Sequence, residues 1–456
     1  MIVEIAPFEA GNGEREISPL VMPPDKSVLH RLLIIGSLTT TSFTIPITDP
    51  HMMSHDVIAT ILALESVGVP VELFNDHIEL QGVGLGGFKA SNHIINCANS
   101  GTTARLMMGI LAGQPFSSVL SGDDSLSRRP MKRLSNILIE KMGADIHTSP
   151  EGTLPAMIQG KPLHGATVDL VVASAQMKTA ILLAGVFADG ETRVKEPTQS
   201  RDHTELMLEA FGYGVTFDEE GYIGLEGKRP FVLEDELVFD IPGDISSAAF
   251  VAVAAVLLKL DVAIEGVLLN PTRTRFLDLL AVMGVEIESE NVTEVWGEDR
   301  GTLKIFGSRI EKLSPLHVTA EDASLLIDEL PILGLLACFA DGESTFEGVS
   351  ELRVKESDRI HHLIEQLHEF GVAASERPDG FSIIGQPERR FTAAQVRHAE
   401  DHRLAMTFAV AALFNETVLR IEDAEVVKVS YPQFFEHLAT LAGEHRIRIK
   451  NDHALN

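Results

Sequence analysis

The sequence predicts an α/β protein of two similar domains, each made of three repeated α/β units. Three observations lead there. At 456 residues, 45% of them hydrophobic, the chain exceeds what one ordinary core accommodates. A helix opening, in which small or polar residues run straight into a mostly apolar stretch, recurs at Asp25, Asn99, Ser174, Asp244, Asp328 and Asp401, about 70–85 positions apart. A second helix follows each opening and ends at a glycine, namely Gly68, Gly143, Gly212, Gly284, Gly371 and Gly443, with much the same period. Two landmarks in phase define a repeat.

After most of these glycines comes a short alternating or β-branched run, such as Val69-Pro70-Val71-Glu72-Leu73 or Val285-Glu286-Ile287-Glu288, which reads as a strand. Each unit is therefore strand, helix, strand, helix and further strand. Six units divide into three and three because a single core rarely grows past about 300 residues. Proline and glycine break the pattern midway at Ile241-Pro242-Gly243-Asp244, and again at Val21-Met22-Pro23-Pro24 before the first opening. The expected domains are residues 1–22 with 244–456, and residues 23–243, so that the first strand belongs with the C-terminal half.

The formal charge of −29 argues against nucleic acid, since phosphate neutralisation needs a basic face. No apolar run is long enough to span a bilayer and the first residues lack a signal-peptide pattern, so no membrane partner and a cytoplasmic location are expected. Cys97 and Cys338 are too few for a disulfide scaffold or a four-cysteine zinc site, and they read as buried, reduced thiols.

Chemistry concentrates at the helix openings. A helix N-terminus offers unpaired N–H groups and a positive dipole end, and so attracts anions. Lys26, Arg31, Arg105, Lys178 and Arg403 lie within the openings, while Arg128, Arg129, Arg201, Lys355 and Arg359 lie in the connections. In so acidic a chain, this predicts a site for two or more anionic groups, phosphate with carboxylate. Among the cations stand groups able to move protons: Asp328, Glu329, Glu356 and His402. Taken singly, Asp328 and Asp401 can equally cap helices, Glu356 can be an ion-pair partner and His402 can orient a loop. The most charged stretch, residues 351–359, can likewise be a solvated helix start.

Two other signals are set aside. Residues 82–87 are glycine-rich, but the dinucleotide fingerprint needs a helix directly afterwards, and Phe88-Lys89-Ala90-Ser91-Asn92 does not read as one. His361-His362 do not read as metal ligands, because adjacent helical residues do not face one ion and no third partner is spaced to help.

Nine motifs in order carry a family resemblance over essentially the whole chain. They are residues 25–31, Asn99-Ser100-Gly101-Thr102-Thr103-Ala104-Arg105, Arg128-Arg129-Pro130-Met131, Ser174-Ala175-Gln176, Ser200-Arg201-Asp202-His203, residues 243–248, residues 351–359, Asp401-His402-Arg403 and Ser430-Tyr431-Pro432. On these the chain resembles the 3-phosphoshikimate 1-carboxyvinyltransferase (EPSP synthase) family, in its bacterial class II branch. The resemblance implies an inside-out α/β barrel arrangement in each domain, closing on substrate at the two crossovers. It also implies that the 5-hydroxyl of shikimate 3-phosphate attacks phosphoenolpyruvate, that a tetrahedral intermediate forms and that phosphate leaves, with no metal or organic cofactor. A monomer is expected.

Carried across residue by residue, the resemblance implies that Lys26, Ser27, Arg31, Ser174, Ala175, Gln176, Ser200, Arg201, Asp328 and Lys355 hold shikimate 3-phosphate. Lys26, Gly101, Arg129, Gln176, Arg359 and Arg403 hold phosphoenolpyruvate. Asp328 accepts the hydroxyl proton, Glu356 protonates the methylene carbon, and Lys26 completes the catalytic set. A side chain at Gly101 would narrow the phosphoenolpyruvate pocket, so glyphosate is expected to compete there. Departures from the family pattern are Pro24 and Glu351, where relatives carry Gly and Asn, His203 in place of an aromatic residue, and Val429 where some relatives have Lys; Lys428 and Glu351 are left without a role. Arg353 and Asp358 are expected to pair structurally. The closest rival is a UDP-N-acetylglucosamine enolpyruvyl transferase, which typically uses a loop cysteine; residues 123–130 contain none. The other rival is a non-catalytic anion-binding protein on the same scaffold.

Overall fold

The computed structural model describes residues 1–8, 17–47, 50–233 and 239–450. The chain forms two units. One comprises Met1–Pro23, Pro242–Thr293 and Asp299–Asn456, and the other Pro24–Ile241 with Glu294–Glu298.

The helices pair along the chain as the repeat requires. In the second of these units they are α1 (Lys26–Ser37) and α2 (His55–Ser66), α3 (Gly101–Ala112) and α4 (Lys132–Met142), and α5 (Ala175–Phe187) and α6 (His203–Ala210). In the first unit they are α7 (Ile245–Leu258) and α8 (Arg275–Val282), then α9 (Ala320–Leu326), α10 (Leu330–Ala337) and α11 (Arg359–Glu369), and α12 (His402–Ala412) and α13 (Phe434–Ala442). Five of the six opening helices start on a capping side chain: Asp25, Ser100, Ser174, Asp244 and Asp401 all accept a backbone N–H from the first turn. The glycine ending each second helix has positive φ, from 69° at Gly212 to 107° at Gly443, which a side chain would resist.

The fifth opening carries an addition. A helix opens at Asp328 as expected, α10 from Leu330, but a short helix that the repeat does not anticipate, α9, ends just ahead of it at Leu326. Pro331 lacks an N–H and suits a helix start, so the chain restarts there rather than continuing.

Helix composition decides burial. Along α7 nearly every residue is apolar and all but Leu257 are buried, and α3, α5, α10 and α12 are similar. Opening helices therefore form the centre of each unit: α3 packs on α5 in one, and α7, α10 and α12 pack together in the other. A Cβ at Gly109 of α3 would lie 2.2 Å from the carbonyl oxygen of Ala180 in α5, so only glycine permits that approach. The following helices bury one stripe, as with Leu134, Leu138 and Met142 of α4, and cover the outside.

Among the described residues each repeat carries a sheet of three or four strands, and a two-stranded parallel pair, Leu163–His164 with Ala188–Asp189, is added in the third. In the fifth, His317–Val318 runs parallel to Gly342–Glu347, which pairs antiparallel with Gly380–Gly385 and through it with Ala373–Arg377. The second and third repeats share this order. In the sixth, the N-terminal strand Ile2–Ile5 lies antiparallel between Leu419–Ile421 and Ile447–Lys450, taking the place that a late strand fills elsewhere. Gly82 and its neighbours follow strand His77–Gln81 as a turn, with the next helix only at Gly101. Among the described residues no helix is long and apolar enough to cross a membrane.

Candidate active site

Because the opening helices of a unit pack against one another, their first turns can exchange hydrogen bonds. In the unit holding α1 to α6, Arg31 donates from Nε to Thr204 Oγ1 (2.8 Å) and from Nη2 to Thr179 Oγ1 (3.1 Å), joining α1, α5 and α6. Arg105 of α3 donates to Gln176 Oε1 (2.8 Å), whose amide donates to Thr102 Oγ1 (2.9 Å). Lys26 pairs with Asp56 at 2.8 Å, and Arg201 donates to Ser27 Oγ at 3.3 Å. Arg129, buried, donates to Asn99 Oδ1 at 2.6 Å and to Ser125 Oγ at 3.2 Å. Gly101 begins α3 next to both arginines: a Cβ there would lie 2.6 Å from Arg105 Nη1 and 3.3 Å from Arg129 Nη1.

Ser174 caps α5, Ala175 is its first residue, and the Ser174 N–H and the Ser200 hydroxyl both donate to Glu196. Positive charge is dense here. Burial first, and then Lys26 and Arg31, hold the His30 imidazole well below its usual pKa, so it is neutral. His203 is enclosed, with Nδ1 2.8 Å from Glu298 Oε2, a partner that engages its ring.

The other unit gathers carboxylates. Arg359, at the start of α11 and 1% exposed, donates from Nε to Asp401 (2.8 Å) and from Nη2 to Glu356 (2.6 Å), and its Nη1 lies 3.6 Å from Asp328. Burial opposes the charge, but Asp401, Glu356 and Asp328 outweigh it and hold the guanidinium above its usual pKa. Asp401 caps α12 and also accepts from Ser357 Oγ at 3.1 Å. Glu329, buried beside Asp328, accepts from Ser246 Oγ, which in turn accepts from Arg273 at 2.9 Å. Arg403, 2% exposed, sits over the Phe250 ring, and its Nε and Nη1 have no hydrogen-bond partner among the described residues.

Residues 351–359 thus divide. Arg353 pairs with Asp358 at 2.9 Å and with Glu376 at 2.8 Å, bracing the segment, while Lys355 and Glu356 follow a short 3-10 turn over Ser350–Val354. Glu351 lies in that turn, and Lys428 is exposed on another. Contrary to expectation, a third donor does adjoin the histidine pair: His361, His362 and Glu365 bring ligand atoms within 4.8 Å of one another. Glu365 stands one turn past His362, a spacing overlooked in the sequence. All three are at least partly exposed, and such clusters are common without an ion.

Sequence reading named the cations and missed their partners. Asp56, Glu196, Thr179 and Thr204 lie on other elements, and the one signal available was their position in or near the first turns of a helix or just after a strand; Arg273, a further buried cation, carried no such signal.

Burial pushes the thiols of Cys97 and Cys338 up to about 12, which leaves neither as a nucleophile and removes the feature typical of the sugar-nucleotide rival. A sequence profile of EPSP synthase (3-phosphoshikimate 1-carboxyvinyltransferase) matches residues 15–438. The 3-phosphoshikimate 1-carboxyvinyltransferase of Limosilactobacillus fermentum is 44% identical over 434 residues, covering 95% of this chain and 97% of that one. That of Halorhodospira halophila is 42% identical over 442 residues, covering 96% and 95%. Among solved structures, an EPSP synthase from Acinetobacter baumannii matches with a TM-score of 0.82 at 38% identity, over 99% of this chain and 100% of that one. The enolpyruvyl transferase NikO from Streptomyces tendae, at 16% identity and a TM-score of 0.72 over 98% of each chain, shares the fold. With the fold of the enolpyruvyl transferases and such relatives along its whole length, the chain belongs to the EPSP synthase (3-phosphoshikimate 1-carboxyvinyltransferase) family.

Proposed function

We propose that the chain transfers the enolpyruvyl group of phosphoenolpyruvate to the 5-hydroxyl of shikimate 3-phosphate by addition and elimination. Lys26, Ser27, Arg31, Ser174, Ala175, Gln176, Ser200 and Arg201, with Lys355, bind shikimate 3-phosphate. Lys26, Gly101, Arg129, Gln176, Arg359 and Arg403 bind phosphoenolpyruvate. In the addition, Asp328 takes the 5-hydroxyl proton as that oxygen bonds to the central carbon of phosphoenolpyruvate, and Glu356 protonates the methylene carbon. In the elimination, the methyl group returns a proton to Glu356, the bond between the former central carbon and the phosphate oxygen breaks, and the phosphate leaves with the proton that Asp328 had taken. Fixed cations stabilise the charge gathering on the departing phosphate.

The observation that carries this reading is Arg403. A guanidinium this buried, with two nitrogens unpartnered, is costly unless an anion meets it, and the carboxylate of phosphoenolpyruvate is such an anion. It stands two residues from Asp401, which anchors Arg359 and, through it, the two groups assigned to proton transfer. The test is phosphate release from phosphoenolpyruvate with shikimate 3-phosphate or with UDP-N-acetylglucosamine. Release with the first alone is expected; release with the second alone overturns the assignment, and none with either favours a binding protein.

A further inference from the structure

We infer that Glu196 is a positioning residue that sets the two phosphate-binding serines, Ser174 and Ser200, in register, and that Lys178 is the buried counter-ion that lets a carboxylate do so beside a phosphate. The inference rests on the assignment of those serines to shikimate 3-phosphate.

Ser174 caps α5, whereas Ser200 lies 26 positions later, beyond strand Glu191–Lys195. One carboxylate spans them. Glu196 Oε1 accepts the Ser174 N–H at 2.9 Å, and both its oxygens accept from Ser200 Oγ, at 2.7 and 2.8 Å. The Ser200 N–H adds a longer bond of 3.3 Å. An anion next to a phosphate-bearing ligand would by itself repel it, but Lys178 Nζ pairs with Glu196 Oε2 at 2.8 Å. Lys178 is one turn along α5 from Ser174, so the helix that presents the serine also carries the counter-charge. Its second partner, Glu205 of α6 at 2.7 Å, ties α6 to the same point. Both carboxylates and the ammonium are almost fully enclosed, with side-chain exposures of 5%, 1% and 2%.

A purely structural role predicts something different. If the cluster mattered only as a buried charge balance, charge would be the property to keep, so Glu196→Asp should be mild and Glu196→Gln severe. If Glu196 positions the serines, reach and acceptor geometry matter. Gln keeps the length and, through its amide oxygen, an acceptor for the Ser174 N–H and the Ser200 hydroxyl. Its amide nitrogen would face the Lys178 ammonium, which retains Glu205, so the substitution should lower the melting temperature rather than disturb the register. Asp is one methylene too short to meet both serines.

The experiment measures steady-state kinetics with each substrate varied in turn, for wild type, Glu196→Asp, Glu196→Gln and Ser200→Ala, with folding followed by thermal melting. Glu196→Asp is expected to raise KM for shikimate 3-phosphate by about tenfold or more, leaving KM for phosphoenolpyruvate and kcat within about threefold. Glu196→Gln is expected to stay within about threefold of wild type on all three. The reverse order, or equal rises in both KM values, overturns the inference. If Ser200→Ala leaves KM for shikimate 3-phosphate unchanged, the serine assignment itself fails; if Ser200→Ala raises it and Glu196→Asp does not, only the role of Glu196 fails.

Discussion

In the unit of α1 to α6, Arg31, Arg105, Arg129 and Arg201 donate to hydroxyl, amide or carbonyl oxygens, whereas in the unit of α7 to α13 Arg359 is held by three carboxylates. Neutral acceptors orient a guanidinium without cancelling its charge, which suits a surface that must attract phosphate. Three carboxylates on one arginine do the opposite. They share its charge among them, and in return Asp328 and Glu356 are held at defined places, as groups proposed to exchange protons with a substrate must be. On the proposed function, the unit of α1 to α6 supplies binding groups, while the unit of α7 to α13 supplies both Asp328 and Glu356 for proton transfer and Lys355, Arg359 and Arg403 for binding, and substitutions should separate accordingly.

The largest effect is expected where a cation is removed from enclosed carboxylates. Arg359→Ala leaves Asp328, Glu356 and Asp401 without their shared partner, and a stability loss of about 3–5 kcal/mol should appear in urea denaturation, together with loss of turnover. Arg31→Ala, which removes bonds to the hydroxyls of Thr204 and Thr179 and to the Ser27 carbonyl oxygen, should cost less stability while raising KM for shikimate 3-phosphate. Equal stability losses would break the contrast.

Next is Glu356→Gln. Turnover should fall by roughly a hundredfold with both KM values nearly unchanged, as for loss of a general acid. Unchanged turnover removes Glu356 from proton transfer.

Gly101→Ala belongs to the binding side. Its Cβ would press on Arg105 and Arg129, so KM for phosphoenolpyruvate should rise by about tenfold, with kcat little altered. Wild-type turnover should be inhibited by glyphosate in competition with phosphoenolpyruvate, and the alanine variant should be less sensitive. Wild-type activity indifferent to millimolar glyphosate would refute the shared site.

The smallest effect concerns pH. His437, whose ring meets the Tyr431 hydroxyl, is pushed by burial from 6.5 down to about 4. Between those values the unfolded chain binds the proton and the folded one does not, so stability present at neutral pH is lost as pH falls from about 6.5 to about 4, by about 1–3 kcal/mol. His437→Gln should flatten that part of the stability curve. An unaltered slope would assign it to other groups, such as the buried His30 of the other unit.

The helix starts were legible because capping is local: Asp25, Ser174, Asp244 and Asp401 each meet a first-turn N–H within two or three positions. The glycines that end the second helices are legible for the same reason, since positive φ selects the residue type. The helix start at Asp328 was legible too, since Pro331 suits a first turn, whereas the short helix α9 just before it lies outside the repeat pattern and was not. Glu365 was missed beside His362 because adjacency was weighed and the next turn was not.

By itself the sequence determined the repeat, the helix caps and which cations crowd the helix openings, all properties of residues near one another in the chain. Only the tertiary structure decided what those cations face. Lys26 meets Asp56 thirty positions away, Arg31 meets Thr179 and Thr204, and Arg359 meets Asp401 across 42 residues. Such pairings follow from which opening helices pack together, and packing of apolar faces, being non-directional, leaves no local mark on the polar residues it brings into contact.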